Sequence, residues 1–166
     1  NRLRLRDAGL ADQITAVNRL GIQLAKEAVG DAAWVAASTG STGQLLEPYG
    51  TLTISEAEAV YGEQMRLLAE TEADFILIET QTDITEACCV VRMAKKYTTL
   101  PVVCSFAFDQ RGRTMMGLRA AQAATQALEA GADIVGANCG DGPEAVRVAR
   151  EQMRAVTDAP LLAQAN

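Results

Sequence analysis

The stretch Ala132-Asp-Ile-Val-Gly-Ala-Asn-Cys-Gly-Asp-Gly-Pro143 decides which fold this sequence can adopt. Its first five residues are mostly apolar and follow Gly131, a typical helix stop, so they predict a short buried strand. Small and polar residues come next, and a helical pattern opens at Glu144. Cys139 is therefore expected where a parallel strand ends, which is the edge at which α/β folds bind ligands. A thiol there can serve as a nucleophile, as a metal ligand, or only in packing.

The same alternation of strand and helix extends along the whole chain. The hydrophobic patterns predict five strands, over residues 34–38, 73–80, 101–108, 132–136 and 160–165. They predict helices over residues 7–29, 53–70, 83–97, 119–130 and 144–156, with Thr53 or Ser55 capping the second. Successive strands begin about 28–40 residues apart, as in the βα units of a parallel sheet.

Two architectures fit this order of elements. One is an open, doubly wound parallel sheet of five strands, and the other is part of a (β/α)8 barrel, which takes about 250 residues when complete. The chain starts at Asn1 without a methionine and ends within the predicted strand Pro160-Leu-Leu-Ala-Gln-Ala-Asn166. These ends favour the barrel, with residues 1–166 as a single fragment of it.

Composition excludes several classes of function. The net charge is −6, and the only basic cluster is Arg2–Arg6, so nucleic acid is not an expected partner. No apolar run approaches the roughly 18 residues of a membrane span, and no signal peptide is visible. Histidine is absent, which rules out Ser-His-Asp and Cys-His catalysis and histidine metal sites. The four cysteines show no disulfide pattern, which favours a reducing, cytoplasmic compartment.

Other candidate residues stand at the predicted strand ends. Glu79 closes an apolar strand, either as a solvated carboxylate or as the acceptor of a cationic substrate group. Residues 38–43, Ser-Thr-Gly-Ser-Thr-Gly, could present backbone N–H groups to an anion but lack the lysine of a nucleotide loop. Cys88 and Cys89 are neighbours in a predicted helix and point about 100° apart, so they are interpreted as packing residues, as is Cys104 in its strand.

Several of these stretches occur together in one known family. They are Asn1-Arg-Leu-Arg-Leu5, Ser41-Thr-Gly-Gln-Leu-Leu-Glu-Pro-Tyr-Gly50, Ala73–Thr80, Ser105–Phe108 with Gly112-Arg-Thr114, and Gly136-Ala-Asn-Cys139 with Gly142-Pro-Glu144. In this order they resemble the homocysteine S-methyltransferase domain, most closely the N-terminal module of cobalamin-dependent methionine synthase. The Asn-Cys and Gly-Pro-Glu element is the most specific of them.

The resemblance implies strands three to seven of a (β/α)8 barrel, without the first two strands and the last. It implies a zinc ion held by three cysteines, of which Cys139 matches the first; the other two form a Gly-Cys-Cys element that this chain lacks. Homocysteine sulfur would take the open position of the zinc. By the same resemblance Glu79 receives the α-ammonium group, and Ser38, Thr39, Gly40 and Asn138 hold the amino-acid end.

The implied reaction is methyl transfer to the homocysteine thiol, which gives methionine. In the resembled enzyme methylcobalamin on another module is the donor and is recharged from methyltetrahydrofolate; betaine and S-methylmethionine are alternative donors. An alternative of another class is a non-catalytic, flavodoxin-like binding domain. A lone thiolate is a poor zinc site and an open sheet exposes its edges, so the fragment by itself is expected to be inactive, to lack tight zinc and to associate with another copy.

Overall fold

Five parallel strands form one sheet in the order in which they occur along the chain. The computed structural model describes residues 1–166. The strands are β1 (Ala36–Thr39), β2 (Phe75–Gln81), β3 (Val102–Phe106), β4 (Ile134–Asn138) and β5 (Leu161–Gln164). The helices are α1 (Arg2–Asp7), α2 (Ile14–Val29), α3 (Ile54–Leu68), α4 (Ile84–Tyr97), α5 (Ala120–Glu129) and α6 (Pro143–Arg154), with a 3-10 turn at Ala11–Gln13.

The order of the strands distinguishes the two expected architectures. Each strand pairs with the next one along the chain, and helices α2 to α6 likewise pack as consecutive neighbours. A doubly wound sheet instead reverses its strand order at a switch point and carries helices on both faces. The alternative of an open, doubly wound sheet is therefore wrong, and the sheet is an arc of a (β/α)8 barrel.

The two faces of the sheet are packed differently. Ile76, Ile78 and Cys104 are fully buried beneath the helices, in a core shared with Tyr61 and Met65 of α3. The opposite, inner face carries Phe75, Leu77, Val103 and Ile134, which line an open groove of about 630 Å³. Side chains alternate between these faces along each strand, so the polar residues that follow on the inner face point to the same side as this groove.

Two aspartates tie the beginnings of neighbouring strands together. The Asp74 carboxylate, just before β2, accepts hydrogen bonds from the Val35 backbone N–H (2.6 Å) and from Lys26 (2.7 Å). Asp133, just before β4, accepts from the Val102 N–H (2.8 Å) and from Lys95 (2.9 Å) in the same way. Each aspartate thus satisfies a backbone donor at the start of the adjacent strand.

Several element boundaries differ from the sequence-based expectation, including those of the first predicted helix and of the first and fourth strands. The helix expected over residues 7–29 is broken, because Gly9 adopts a φ of +72° and a 3-10 turn intervenes before α2. The first strand starts at Ala36 rather than Trp34, whose side chain is 84% exposed. The fourth strand lies at Ile134–Asn138 rather than at residues 132–136, so Asn138 is its last residue. None of the six helices has both the length and the apolar composition needed to cross a membrane.

Candidate functional site

Four polar side chains meet on the inner face of the sheet, one from each of the first four strands. They are Ser38 of β1, Glu79 of β2, Ser105 of β3 and Asn138 of β4. The Ser38 hydroxyl donates to Glu79 Oε1, and the Ser105 hydroxyl donates to Asn138 Oδ1 at 2.8 Å. Asn138 Nδ2 lies 3.4 Å from Glu79 Oε2 and joins the two pairs. A continuous polar layer therefore lies above the apolar groove.

Asn138 uses both ends of its amide group to hold this layer. Its Oδ1 also accepts from the Thr80 backbone N–H at 2.9 Å, and its Nδ2 donates to Thr80 Oγ1 at 2.8 Å. The same Nδ2 lies 3.4 Å from the sulfur of Cys139. Asn138 is only 2% exposed, so its position is fixed by these contacts. It places the carboxylate of Glu79 and the thiol of Cys139 at one edge of the sheet.

Thr80 and Cys139 both have a left-handed backbone conformation, with φ values of 57° and 54°. This conformation is uncommon for residues with a side chain and is unusual for a β-branched one. In β2 the register with β3 shifts between Ile78 and Gln81, which marks a bulge around Glu79 and Thr80. The two side chains meet at 3.8 Å between Thr80 Oγ1 and Cys139 Sγ. Strained backbone of this kind clusters at functional sites.

The loop after Cys139 is fixed between two neighbouring strand ends. The Cys139 N–H donates to the Gln164 carbonyl at 3.1 Å, and the Asp141 N–H donates to the Phe108 carbonyl at 3.1 Å. Gly140 has a φ of +64°, and a Cβ at this position would lie 2.2 Å from the Phe108 oxygen. Only glycine allows this close approach, and the approach sets the direction in which Cys139 leaves the strand.

A buried carboxylate anchors the loop after β1. Glu86, at the start of α4, is 5% exposed. Its Oε1 accepts from the Thr42 N–H, the Thr42 hydroxyl and the Tyr61 hydroxyl, each at 2.7 Å. Burial, and secondarily the negative charge of Glu86, raises the pKa of Tyr61 far above its ordinary value, so the phenol remains a proton donor. This network holds residues 40–43 against the end of the sheet.

The polar layer opens into a cavity of about 640 Å³. Its lining includes Arg4, Ser38, Gly40, Glu79, Thr80 and Met115. Glu79 forms no ion pair with any residue of the chain, although it accepts two hydrogen bonds. The side chain of Thr39 lies on the other face of β1 and the whole residue is only 1% exposed, so Thr39 does not line this cavity.

The cysteines do not come together. Cys88 and Cys89 lie within α4, where Cys88 contacts the Gln126 carbonyl, and Cys104 is completely buried in β3. Burial raises the pKa of all three thiols, that of Cys89 to about 12. No three histidine, cysteine, aspartate or glutamate side chains are close enough to share a metal ion. Residues 1–166 thus offer a zinc ion one thiol, Cys139, and do not form a complete tetrahedral site.

The structure adds residues to the site that sequence patterns did not single out. Ser105 and Thr80 bond to Asn138, while Arg4 and Met115 line the cavity. Thr80 could have been found from its position at a predicted strand end, next to Glu79. Arg4 carried no such signal, because it reaches the cavity from a helix that precedes β1 and contacts Ser41 across 37 positions of sequence.

Comparisons with known proteins agree with this architecture. The family model described as homocysteine S-methyltransferase matches residues 1–166. Among solved structures, the apo form of the homocysteine methyltransferase MmuM from Escherichia coli shares the fold, with a TM-score of 0.75 at 20% sequence identity. The match covers 91% of this chain and 60% of that one, so this chain spans well under the full length of that structure. No protein with a curated description matches this sequence. Because the family model covers every residue, the chain belongs to the homocysteine S-methyltransferase family.

Proposed function

We propose that the protein transfers a methyl group to the thiol of homocysteine and so forms methionine. The proposal rests on one observation. Asn138 contacts both the Glu79 carboxylate, which has no cationic partner, and the Cys139 thiol at the same edge of the sheet. The ammonium group of an amino acid is complementary to the carboxylate, and a substrate thiol would share a zinc ion with Cys139. In the transfer, the thiol gives up its proton to solvent and a sulfur lone pair forms the new bond to the methyl carbon. The bond from that carbon to its donor breaks, and its electron pair stays on the donor.

Glu79 is proposed to bind the α-ammonium group of homocysteine. Ser38 and Asn138 hold the carboxylate by donating to separate oxygens, which fixes its orientation before substrate arrives. Both oxygens keep lone pairs that can accept from an ammonium group, since a carboxylate accepts about four hydrogen bonds. The backbone of Ser38 and Gly40, which line the cavity, adds polar groups beside the same end of the substrate.

Cys139 is proposed to lie at the sulfur end and to be one of three zinc ligands. The residues present do not complete a zinc site, so the other two ligands would have to come from outside residues 1–166. Strands β1 to β5 of residues 1–166 are proposed to correspond to strands three to seven of the complete barrel. The 166-residue chain is accordingly expected to bind no zinc tightly, and a stoichiometry of one zinc per chain in a metal titration would contradict this.

The proposed methyl donor is methylcobalamin, carried on a separate cobalamin-binding module and recharged from methyltetrahydrofolate. The support is the similarity of the Arg2–Leu5 and Gly112–Thr114 segments to the cobalamin-dependent type. The proposed location is the cytoplasm, because thiols at the site need a reducing compartment.

The test is methionine formation by the full-length protein from homocysteine, with methylcobalamin, S-methylmethionine and betaine supplied separately. We expect activity with methylcobalamin, loss of that activity in Cys139→Ser, and retention in the matched control Cys88→Ser, whose thiol lies on α4. Activity with only one of the other donors would replace the proposed donor. Full activity of Cys139→Ser, or no methionine with any donor, would contradict the proposed function.

A further inference from the structure

Arg4 is the cationic side chain that lines the same cavity as Glu79. It lies on α1, which crosses near the end of β1, and two contacts hold its guanidinium. Nε donates to the Ser41 carbonyl at 3.3 Å, and Nη2 donates to the Ser41 hydroxyl at 3.4 Å. The group also packs over Gly43, where a Cβ would lie 2.5 Å from Arg4 Cζ. These contacts place the solvent-exposed guanidinium at the cavity wall.

The protein neutralises neither the Arg4 guanidinium nor the Glu79 carboxylate in this cavity. Arg2, on the same helix, pairs with Glu63 at 2.5 Å, whereas Arg4 forms no ion pair. Its Nη1 donates to no group of the chain, since both of its hydrogen bonds use Nε and Nη2. One open cavity thus presents an unpaired guanidinium and an unpaired carboxylate. This arrangement matches a ligand that carries both a negative and a positive group.

We infer that Arg4 binds the α-carboxylate of the amino-acid substrate, so that the site selects zwitterionic amino acids over thiols that lack a carboxylate. A guanidinium suits this role because its planar N–H groups match the geometry of a carboxylate. The inference rests on the proposed function and deepens it. Glu79 recognises one charge of the substrate, Arg4 recognises the other, and the side chain that bears the sulfur is directed toward Cys139.

The test compares two ligands that differ only in the carboxylate. Homocysteine and its decarboxylated analogue, an aminothiol, are titrated calorimetrically into the full-length protein and into Arg4→Gln, Arg4→Lys and Arg6→Gln. Arg6 is the matched control, because it lies on the same helix but contacts Asp7. We expect Arg4→Gln to weaken homocysteine binding roughly 10- to 100-fold, as for loss of a charged hydrogen bond, and to leave aminothiol binding unchanged. Arg4→Lys should be intermediate and Arg6→Gln should resemble wild type.

Three other outcomes have distinct meanings. Equal weakening of both ligands by Arg4→Gln would overturn the inference, because Arg4 would then only support the loop at residues 41–43. Unchanged binding of both ligands would also overturn it and would leave the proposed function standing. Failure of the wild-type protein to bind homocysteine would overturn the proposed function itself and the assignment of Arg4 with it.

Discussion

Asn138 holds the polar layer through both the donor and the acceptor of its side-chain amide. Its amide donates toward Glu79 and Thr80 and accepts from Ser105 and the Thr80 backbone. Aspartate has the same shape but no donor at neutral pH, and it would place a second negative charge beside Glu79. Leucine would leave the buried polar groups around it without partners, at a cost of about 1–3 kcal/mol for each. The polar layer therefore depends on an amide at this position.

Thiol reactivity gives a test at the level of single residues. Cys139 is partly exposed, while Cys89 and Cys104 are completely buried. Alkylation needs an accessible thiolate, and burial raises the pKa of Cys88, Cys89 and Cys104. We expect iodoacetamide at neutral pH to label Cys139 first, as measured by peptide mass spectrometry over time. The fast phase should disappear in Cys139→Ser and persist in Cys88→Ser. Labelling of Cys104 as fast as that of Cys139 would show that the packing described here is wrong.

Sequence patterns predicted the part of the site that lies at strand ends. Cys139 and Glu79 each follow an apolar run, and that position alone predicts the sheet edge at which they lie. Ser105 and Arg4 could not be assigned in this way. Ser105 looks like one more position of an apolar strand, and Arg4 looks like one charge among several on a short helix. Their roles depend on contacts across 33 and 37 positions of sequence, which local patterns do not encode.

At the level of elements, the aspartates before β2 and β4 determine how the strands begin. Lys26 and the Val35 N–H hold the pKa of the Asp74 carboxyl below its ordinary value. At Asp133 burial acts in the opposite direction, but Lys95 and the Val102 N–H outweigh it and the pKa is again lowered. A lowered pKa in the folded state stabilises the fold above the ordinary aspartate pKa of about 3.9, and this stabilisation is lost as the pH falls through the folded value.

Replacing Asp74 should therefore matter at neutral pH and much less in acid. We expect Asp74→Asn to lower the free energy of unfolding near pH 7 and to approach the wild-type value at an acidic pH below the folded pKa of Asp74, which itself lies below its ordinary value. Urea unfolding at both pH values measures the difference. Asp31→Asn is the control, because Asp31 is exposed and forms no ion pair. A deficit of the same size at both pH values would show that the charge of Asp74 does not contribute.

The pairing of β4 with β5 depends on a glycine in the strand. Gly136 lies opposite Leu162, and a Cβ on Gly136 would lie 2.4 Å from the Leu162 oxygen. We expect Gly136→Ala to separate the two strands and to lower the free energy of unfolding by about 1–3 kcal/mol, as for an overpacked core. Gly21→Ala is the matched control: the site has open space within α2, and alanine favours the helix by up to about 1 kcal/mol. Wild-type stability in Gly136→Ala would contradict this close approach.

Element types followed from hydrophobic spacing, but element ends did not. Thr53 was one of two candidate caps for α3, and the structure confirms it through a capping box with Glu56. The break before α2 was missed because the apolar spacing continues at Leu10 and Ile14 on either side of it. A positive φ at Gly9 outweighed that periodicity. The fourth strand was placed two residues too early, since its last residue is a polar asparagine that pairs with Gln164.

On the scale of the whole molecule, the sheet is an arc with two free edges and an uncovered inner face. β1 and β5 each pair on one side only. Between them Phe75, Leu77 and Val103 line the apolar groove. In a closed barrel such edges pair and such a face forms the filled interior. In an arc, the same groups are available to another polypeptide.

The isolated 166-residue chain is therefore expected to associate with itself. Sedimentation should give a mass above the 17.6 kDa of one chain, and the mass should rise with concentration. Leu77→Lys, on the inner face, should reduce the association. Leu20→Lys, on the exposed side of α2, should leave it unchanged. A constant mass of 17.6 kDa at all concentrations would show that the free strand edges and the apolar groove do not mediate self-association.

The architecture illustrates what spacing alone can and cannot predict. Regular βα repeats were enough to predict a parallel sheet, and both expected architectures share them. Strand order distinguishes the two architectures. Ala37 of β1 pairs with Ile76 of β2, and each later strand pairs with the strand that precedes it in the chain. From the sequence, the two chain ends and the family resemblance, through residues such as Asn138 and Cys139, favoured the barrel.

The most direct measurement is a crystal structure of the full-length protein with homocysteine bound. We expect the α-ammonium nitrogen of homocysteine within hydrogen-bond distance of the Glu79 carboxylate, its sulfur at the Cys139 end, and its carboxylate toward Arg4. A ligand bound with its sulfur at Glu79, or in any cavity other than the one lined by Ser38, Gly40 and Thr80, would contradict it.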